Sequence, residues 1–142
     1  MGKRILVPVD GSEQADTAFE FAVEEFPDAT IVLLNVINPA EAGYSAQASM
    51  PSFSEEWYEQ QQSAAQDLFD GLIADADIGD RAVERAVEVG RPTTAIVDYA
   101  DDNDIDQIVM GSHGRSGVSR IVLGSVAETV VRRADVPVTV AR

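Results

Sequence analysis

Residues 110–126 read MGSHGRSGVSRIVLGSV. The residues that lead into this stretch, Asp106 to Gly111 (DQIVMG), form a short apolar run with strand character. Its last residues open a helix at Ser125, with Val126, Val130 and Val131 as its apolar positions. Strand, glycine-rich turn and helix in immediate succession make up the unit from which parallel α/β sheets are built. The glycines at 111, 114 and 124, with Ser125 directly after the last, leave bare backbone where a charged group can approach a helix start. The stretch therefore reads as an anion site of the phosphate kind. No Gly-Lys-Ser/Thr follows, so it is not a P-loop, and the Gly-x-Gly-x-x-Gly of dinucleotide folds is absent.

Outward from this stretch the same alternation runs through the chain. Arg4 to Val9 (RILVPV) and Thr30 to Ile37 (TIVLLNVI) are β-rich runs with few polar interruptions, the signature of strands covered on both faces. Arg81 to Val89 alternates polar with apolar, and Val136 to Ala141 carries Pro137, so these two read as edges. The first helix repeats Ala15, Ala18, Phe19, Ala22, Val23 and Phe26 at three and four residues, with Ser12 as N-cap. A second carries the stripe Trp57, Gln61, Ala64, Leu68 and Leu72, joined by Ala65, Phe69 and Ile73. The third opens at Pro92 and packs Ala95, Ile96, Tyr99 and Ala100. Asn38 to Ser54 has no period and reads as a long loop, either a linker or a lid. The expected fold is a single α/β domain: a doubly wound, five-stranded parallel sheet of order 3-2-1-4-5 with helices on both faces.

Composition narrows the function. With 142 residues, one domain can bury about 70% of the surface of its unfolded chain. The absence of Cys excludes disulfides and thiol chemistry. No stretch has signal-peptide or membrane-span character, which gives a cytoplasmic expectation. A net charge of −15, with Lys3 the only lysine, argues against nucleic acid and anionic membranes as partners. It suits a salty, halophilic cytoplasm in which repulsion is screened. Gly111 to Arg133 departs from this pattern, setting Arg115, Arg120, Arg132 and Arg133 against Glu128 alone. An anion would be steered to that island.

In a sheet of this order the crevice opens where the winding reverses, between strands one and four, and brings Val9-Asp10-Gly11 beside Met110-Gly111-Ser112. Asp10 can accept from a ribose hydroxyl or cap the adjacent turn. Ser125 can hold phosphate, complete a capping box with Glu128, or do both. Gly114 and Gly117 can serve the ligand or simply permit turns. Arg120 reads as a solvated loop charge, and Arg115 fits either role. His113 lacks an orienting carboxylate nearby in sequence and reads as a turn residue. The run Asp101 to Asp106 lacks EF-hand spacing and reads as a solvated acidic turn at the far end of the sheet.

The pattern Gly-x2-Gly-x9-Gly-Ser, on Gly111, Gly114, Gly124 and Ser125, with Asp10 and the closing VPVTV, resembles the ATP-binding branch of the universal stress proteins along essentially the whole chain. The resemblance implies that Asp10 and the backbone of Val36 hold ribose and adenine, and that Pro8 and Met110 line base and sugar. It further implies that Gly111, Gly114, Gly124, Ser125 and the Val126 amide hold ribose and phosphates, with Mg²⁺ entering through the phosphates. The expected protein is an ATP-binding stress regulator, a nucleotide-dependent switch without significant turnover, since no nucleophile, base and orienting group stand together. It would pair with a second copy through Val136 to Val140. The rival readings are a slow Mg²⁺-dependent ATP hydrolase using Ser112 or His113, and a nucleotide-free interaction module.

Overall fold

The computed structural model describes residues 2–40, 55–112 and 123–142. In chain order these form β1 (Arg4–Pro8), α1 (Glu13–Glu25), β2 (Thr30–Ile37), α2 (Glu55–Asp75), β3 (Val83–Val89), α3 (Pro92–Asp102), β4 (Gln107–Gly111), α4 (Ser125–Arg133) and β5 (Val138–Ala141). The strands lie in the order β3-β2-β1-β4-β5, every pair parallel. This is the expected α/β sheet, with the two least buried strands at its edges.

The apolar runs are continuous because both faces of the central strands are covered. Ile5, Leu6, Val7 and Ile31 to Leu34 are wholly buried. Successive side chains alternate sides: Ile5, Val7, Ile31 and Leu33 meet α1 and α2, while Leu6, Val32 and Leu34 meet α3 and α4. β3 has one flank open and buries none of its residues fully.

Helix faces depart from expectation in two places. On α2 the buried residues are Ala65 and Phe69, flanked by Leu68, Leu72 and Ile73, while Ala64 is exposed. Phe69 is the bulkiest apolar residue of that turn, and the helix rotates to seat it in the core. On α4 the buried pair is Ala127 and Val130, and Val131, one residue further round, is 45% exposed. A nine-residue helix against one sheet face has room for only a narrow stripe. On α3, Val97 joins Ile96 and Ala100 in the core.

Two arginines brace the amino-terminal end of the sheet. α1 has no basic residue in its last turn. Arg81 supplies the charge from elsewhere, donating from Nη1 to Val23 O (2.7 Å) and from Nη2 to Phe26 O (2.6 Å) and Ala29 O (3.4 Å). Arg4 grips Glu84 through both Nη atoms and donates from Nε to Asn103 O at 3.1 Å. Its backbone N–H donates to Asp106 Oδ2 at 2.8 Å. The acidic turn thus has one carboxylate engaged in tying β4 to β1, at the end opposite the crevice.

Candidate functional site

At the carboxyl end of β1 the chain turns sharply. Val9 N–H donates to Leu34 O at 2.8 Å, and Asn35 Nδ2 donates to Val9 O at 2.9 Å. Gly11 follows at φ +88°, a conformation that side chains disfavour. Asp10 Oδ1 accepts the Ser12 N–H at 3.0 Å, and Ser12 Oγ accepts the Ala15 N–H at 3.1 Å, capping α1 as expected. The turn role considered for Asp10 is therefore present, and it fixes the carboxylate at the strand end.

Beside it, β4 ends in Met110, Gly111 and Ser112. Met110 is 5% exposed. Gly111 lies against the first turn of α1: a Cβ there would come within 2.7 Å of Gln14 C, Cβ and O. This glycine has a packing reason independent of any ligand. Ser112 is buried, its N–H donates to Ala141 O at 3.2 Å, and its carbonyl accepts the Gly124 N–H at 2.7 Å. That last bond sets Gly124 against the end of β4. Gly114 and Arg115, and with them His113, Gly117 and Arg120, lie outside the described residues, as do 41–54 of the expected loop. Pro39 and Ala40 are helical, and Asn38 Oδ1 accepts the Ala40 N–H at 3.1 Å.

α4 starts at Ser125 as expected, but its N-cap is Gly124, extended at φ −63°, ψ 156°, and Glu128 N–H makes the first helical bond, to Gly124 O at 2.9 Å. The capping box on Ser125 and Glu128 is not formed, because the box needs Ser in the cap and Ser125 is already the first helical residue. Glu128 instead pairs with Arg132 at 3.4 Å, one turn on. The N–H groups of Ser125, Val126 and Ala127 precede that first bond, and Gly124 brings no side chain to meet them. Among the described residues no side chain caps this helix, so its start, with positive dipole, sits at the end of β4, beside the end of β1.

The other expected positions share one face. Met110 and Val36 belong with the cluster under α3 and α4. Pro8, two residues after Leu6 on β1, points the same way. Polar Asn35 faces the opposite side. It was missed in the sequence, although a single amide within TIVLLNVI is the visible signal. Close by on α1, Asp16 has its carboxyl pushed above the usual range, first by burial and then by the carboxylates of Glu20, Asp10, Glu13 and Asp75. Among the described residues, no cluster of three acidic or His side chains could hold a metal ion, and no helix is long and apolar enough to cross a membrane.

Comparison with known proteins gives a consistent result. Residues 1–142 match the sequence model of the Universal stress protein family. Universal stress protein MJ0577 of Methanocaldococcus jannaschii is 30% identical, over 100% of this chain and 96% of its own. Its solved structure has a TM-score of 0.83, covering 99% of this chain and 96% of that one. The fold is also that of a universal stress protein solved in complex with cAMP, with TM-score 0.62, 24% identity, and 99% and 97% of the two chains covered. An Arabidopsis thaliana member with AMP bound is similar at TM-score 0.66 and 18% identity, with 98% and 90% covered.

Proposed function

The chain belongs to the universal stress protein family, and we propose that it binds ATP in the crevice between β1 and β4 as a nucleotide-dependent switch. Adenine and ribose lie against Pro8, Asp10, Val36 and Met110. The phosphates meet Gly111, Gly114, Arg115, Gly124, Ser125 and the Val126 amide, carrying Mg²⁺ with them where the cation is present. The observation that carries this reading is the bond from Gly124 N–H to Ser112 O, which holds the glycine-capped start of α4 at the end of β4. Support also comes from the two family members of the same fold that hold adenine nucleotides, cAMP in one and AMP in the other.

Melting with and without ATP and Mg²⁺ tests it. Ligand at a hundred times its dissociation constant stabilises the fold by about 2.7 kcal/mol. An unchanged melting temperature at saturating ATP sinks the proposal and favours the nucleotide-free interaction module. Sustained Mg²⁺-dependent phosphate release, even well below the enzyme median of about 10 per second, would instead favour the slow hydrolase.

Three further proposals concern the protein's setting. It works in the cytoplasm, and its −15 charge suits high salt. It pairs with a second copy along β5, within Val136 to Val140. Pro137 and Ala141 offer their carbonyls to β4, so the backbone groups of Val138 and Val140 point outward from the sheet. Val140→Pro removes one outward N–H without removing a bond to β4. A dimer by sedimentation that this change leaves intact would move the interface elsewhere.

A further inference from the structure

We infer that Asn35 is a positioning residue of the crevice, one that keeps the main chain of Val36 turned toward the ligand. The inference rests on the nucleotide reading and gives it a specific device. β1 and β2 pair in register from Arg4↔Thr30 to Pro8↔Leu34, and the ladder ends there. One step further, a regular parallel ladder would have Val9 O accept the Val36 N–H. In this protein Val9 O accepts from the side chain of Asn35 at 2.9 Å. The amide group stands in for a main-chain donor at the level where β1 departs into the Asp10 turn.

Two consequences follow from strand geometry. Leu34 O bonds toward β1 and Ile37 O toward β3, where it accepts the Gly90 N–H at 2.9 Å. Main-chain groups alternate in direction along a strand, so the N–H and C=O of Val36 point to the β1 side, into the gap that opens beyond Val9. With Asn35 serving Val9 O, that edge stays available to a planar base bearing both a donor and an acceptor. The same bond also fixes the peptide joining Val9 to Asp10. Val9 is held at its N–H by Leu34 and at its C=O by Asn35, so the Asp10 carboxylate leaves a rigid base. Asn35 does this from the α1 and α2 side, behind the face that Pro8, Val36 and Met110 share, and touches no ligand itself.

Asn35→Leu removes the donor at similar size, and Asn35→His retains an N–H donor of comparable reach. ATP affinity is measured by calorimetry at a temperature where circular dichroism shows each variant folded, and unliganded melting is recorded alongside. The expected result is ATP binding about tenfold weaker for Asn35→Leu, the scale of one lost hydrogen bond, with Asn35→His close to the parent. Parent-like affinity in Asn35→Leu overturns the inference. So does an equal loss in both variants that tracks their melting temperatures, which would mark a purely structural amide. A parent protein that fails to bind ATP at all is a different outcome: it removes the nucleotide reading itself, and this inference with it.

Discussion

Gly111→Ala separates packing from ligand binding at the first glycine of the motif. The new Cβ would stand 2.7 Å from the carbonyl carbon, the oxygen and the Cβ of Gln14. Ordinary contact between such atoms begins near 3.5 Å, so roughly 1 Å of movement is required. Neither side yields readily. Gly111 is paired to Ala141 in the β4–β5 ladder, and the start of α1 is fixed by the Ser12 cap and the Asp10 turn. Forcing one extra carbon into a packed contact costs about 1 to 3 kcal/mol. For a chain of this length, with melting shifts of about 4 °C per kcal/mol, the unliganded protein should melt roughly 4 to 12 °C lower. Differential scanning calorimetry without nucleotide reads this directly. Gly124→Ala, at an extended N-cap with an ordinary φ, provides the contrast and should cost only about 0.5 to 1 kcal/mol. If Gly111→Ala melts with the parent while losing ATP, the Gln14 contact is not what requires glycine, and the packing argument fails.

The corrected cap changes what Ser125→Ala should do: unliganded melting should barely move, while ATP affinity should fall about tenfold if the hydroxyl meets a phosphate. A loss of stability without a loss of affinity would return Ser125 to a structural role. Asp16 has a raised carboxyl value in the folded protein. Its charged form therefore opposes folding at neutral pH, and that penalty disappears as pH falls through the raised value to the unfolded aspartate value of about 3.9. Asp16→Asn should raise the melting temperature at pH 7 and lose that advantage below about pH 4, as a series of melts across pH would show. Arg81→Met deletes the charged donors at the end of α1 and should cost about 1.5 to 3 kcal/mol in urea unfolding. The parent's melting temperature should rise with KCl from about 0.1 to 1 M as the Debye length shortens from about 10 to 3 Å. A flat response would remove the high-salt reading.

The sheet was legible because burial on both faces writes itself into composition. Arg4 to Val9 and Thr30 to Ile37 could hardly be anything but central strands, and the polar residues interspersed through Arg81 to Val89 belong to an edge. Helix faces were less legible. Ala64 and Ala65, or Val130 and Val131, are equivalent as letters, and only the fit of Phe69 and the short span of α4 decide which faces inward. The cap of α4 lies one residue before the Ser125 that the capping pattern points to, for a related reason. Ser125 and Glu128 satisfy a capping pattern, yet the pattern does not reveal that Ser112 O already draws in the Gly124 N–H and makes Gly124 the last residue before the helix.

At the site itself, one residue type can answer to two unrelated demands. Asp10 both bonds the Ser12 N–H and stands at the crevice, and Gly111 both follows the motif and lies against Gln14. Neither observation subtracts from the other. Gly111 lets the end of β4 lie against the first turn of α1, and one residue on Ser112 O holds the Gly124 N–H at the start of α4. A glycine that packing requires thus also shapes the strand end where the site is proposed, so ligand contacts alone do not account for the motif. Asn35 is the reverse case, a polar letter in an apolar strand whose purpose becomes visible only when the register of β1 and β2 shows the ladder ending one residue early.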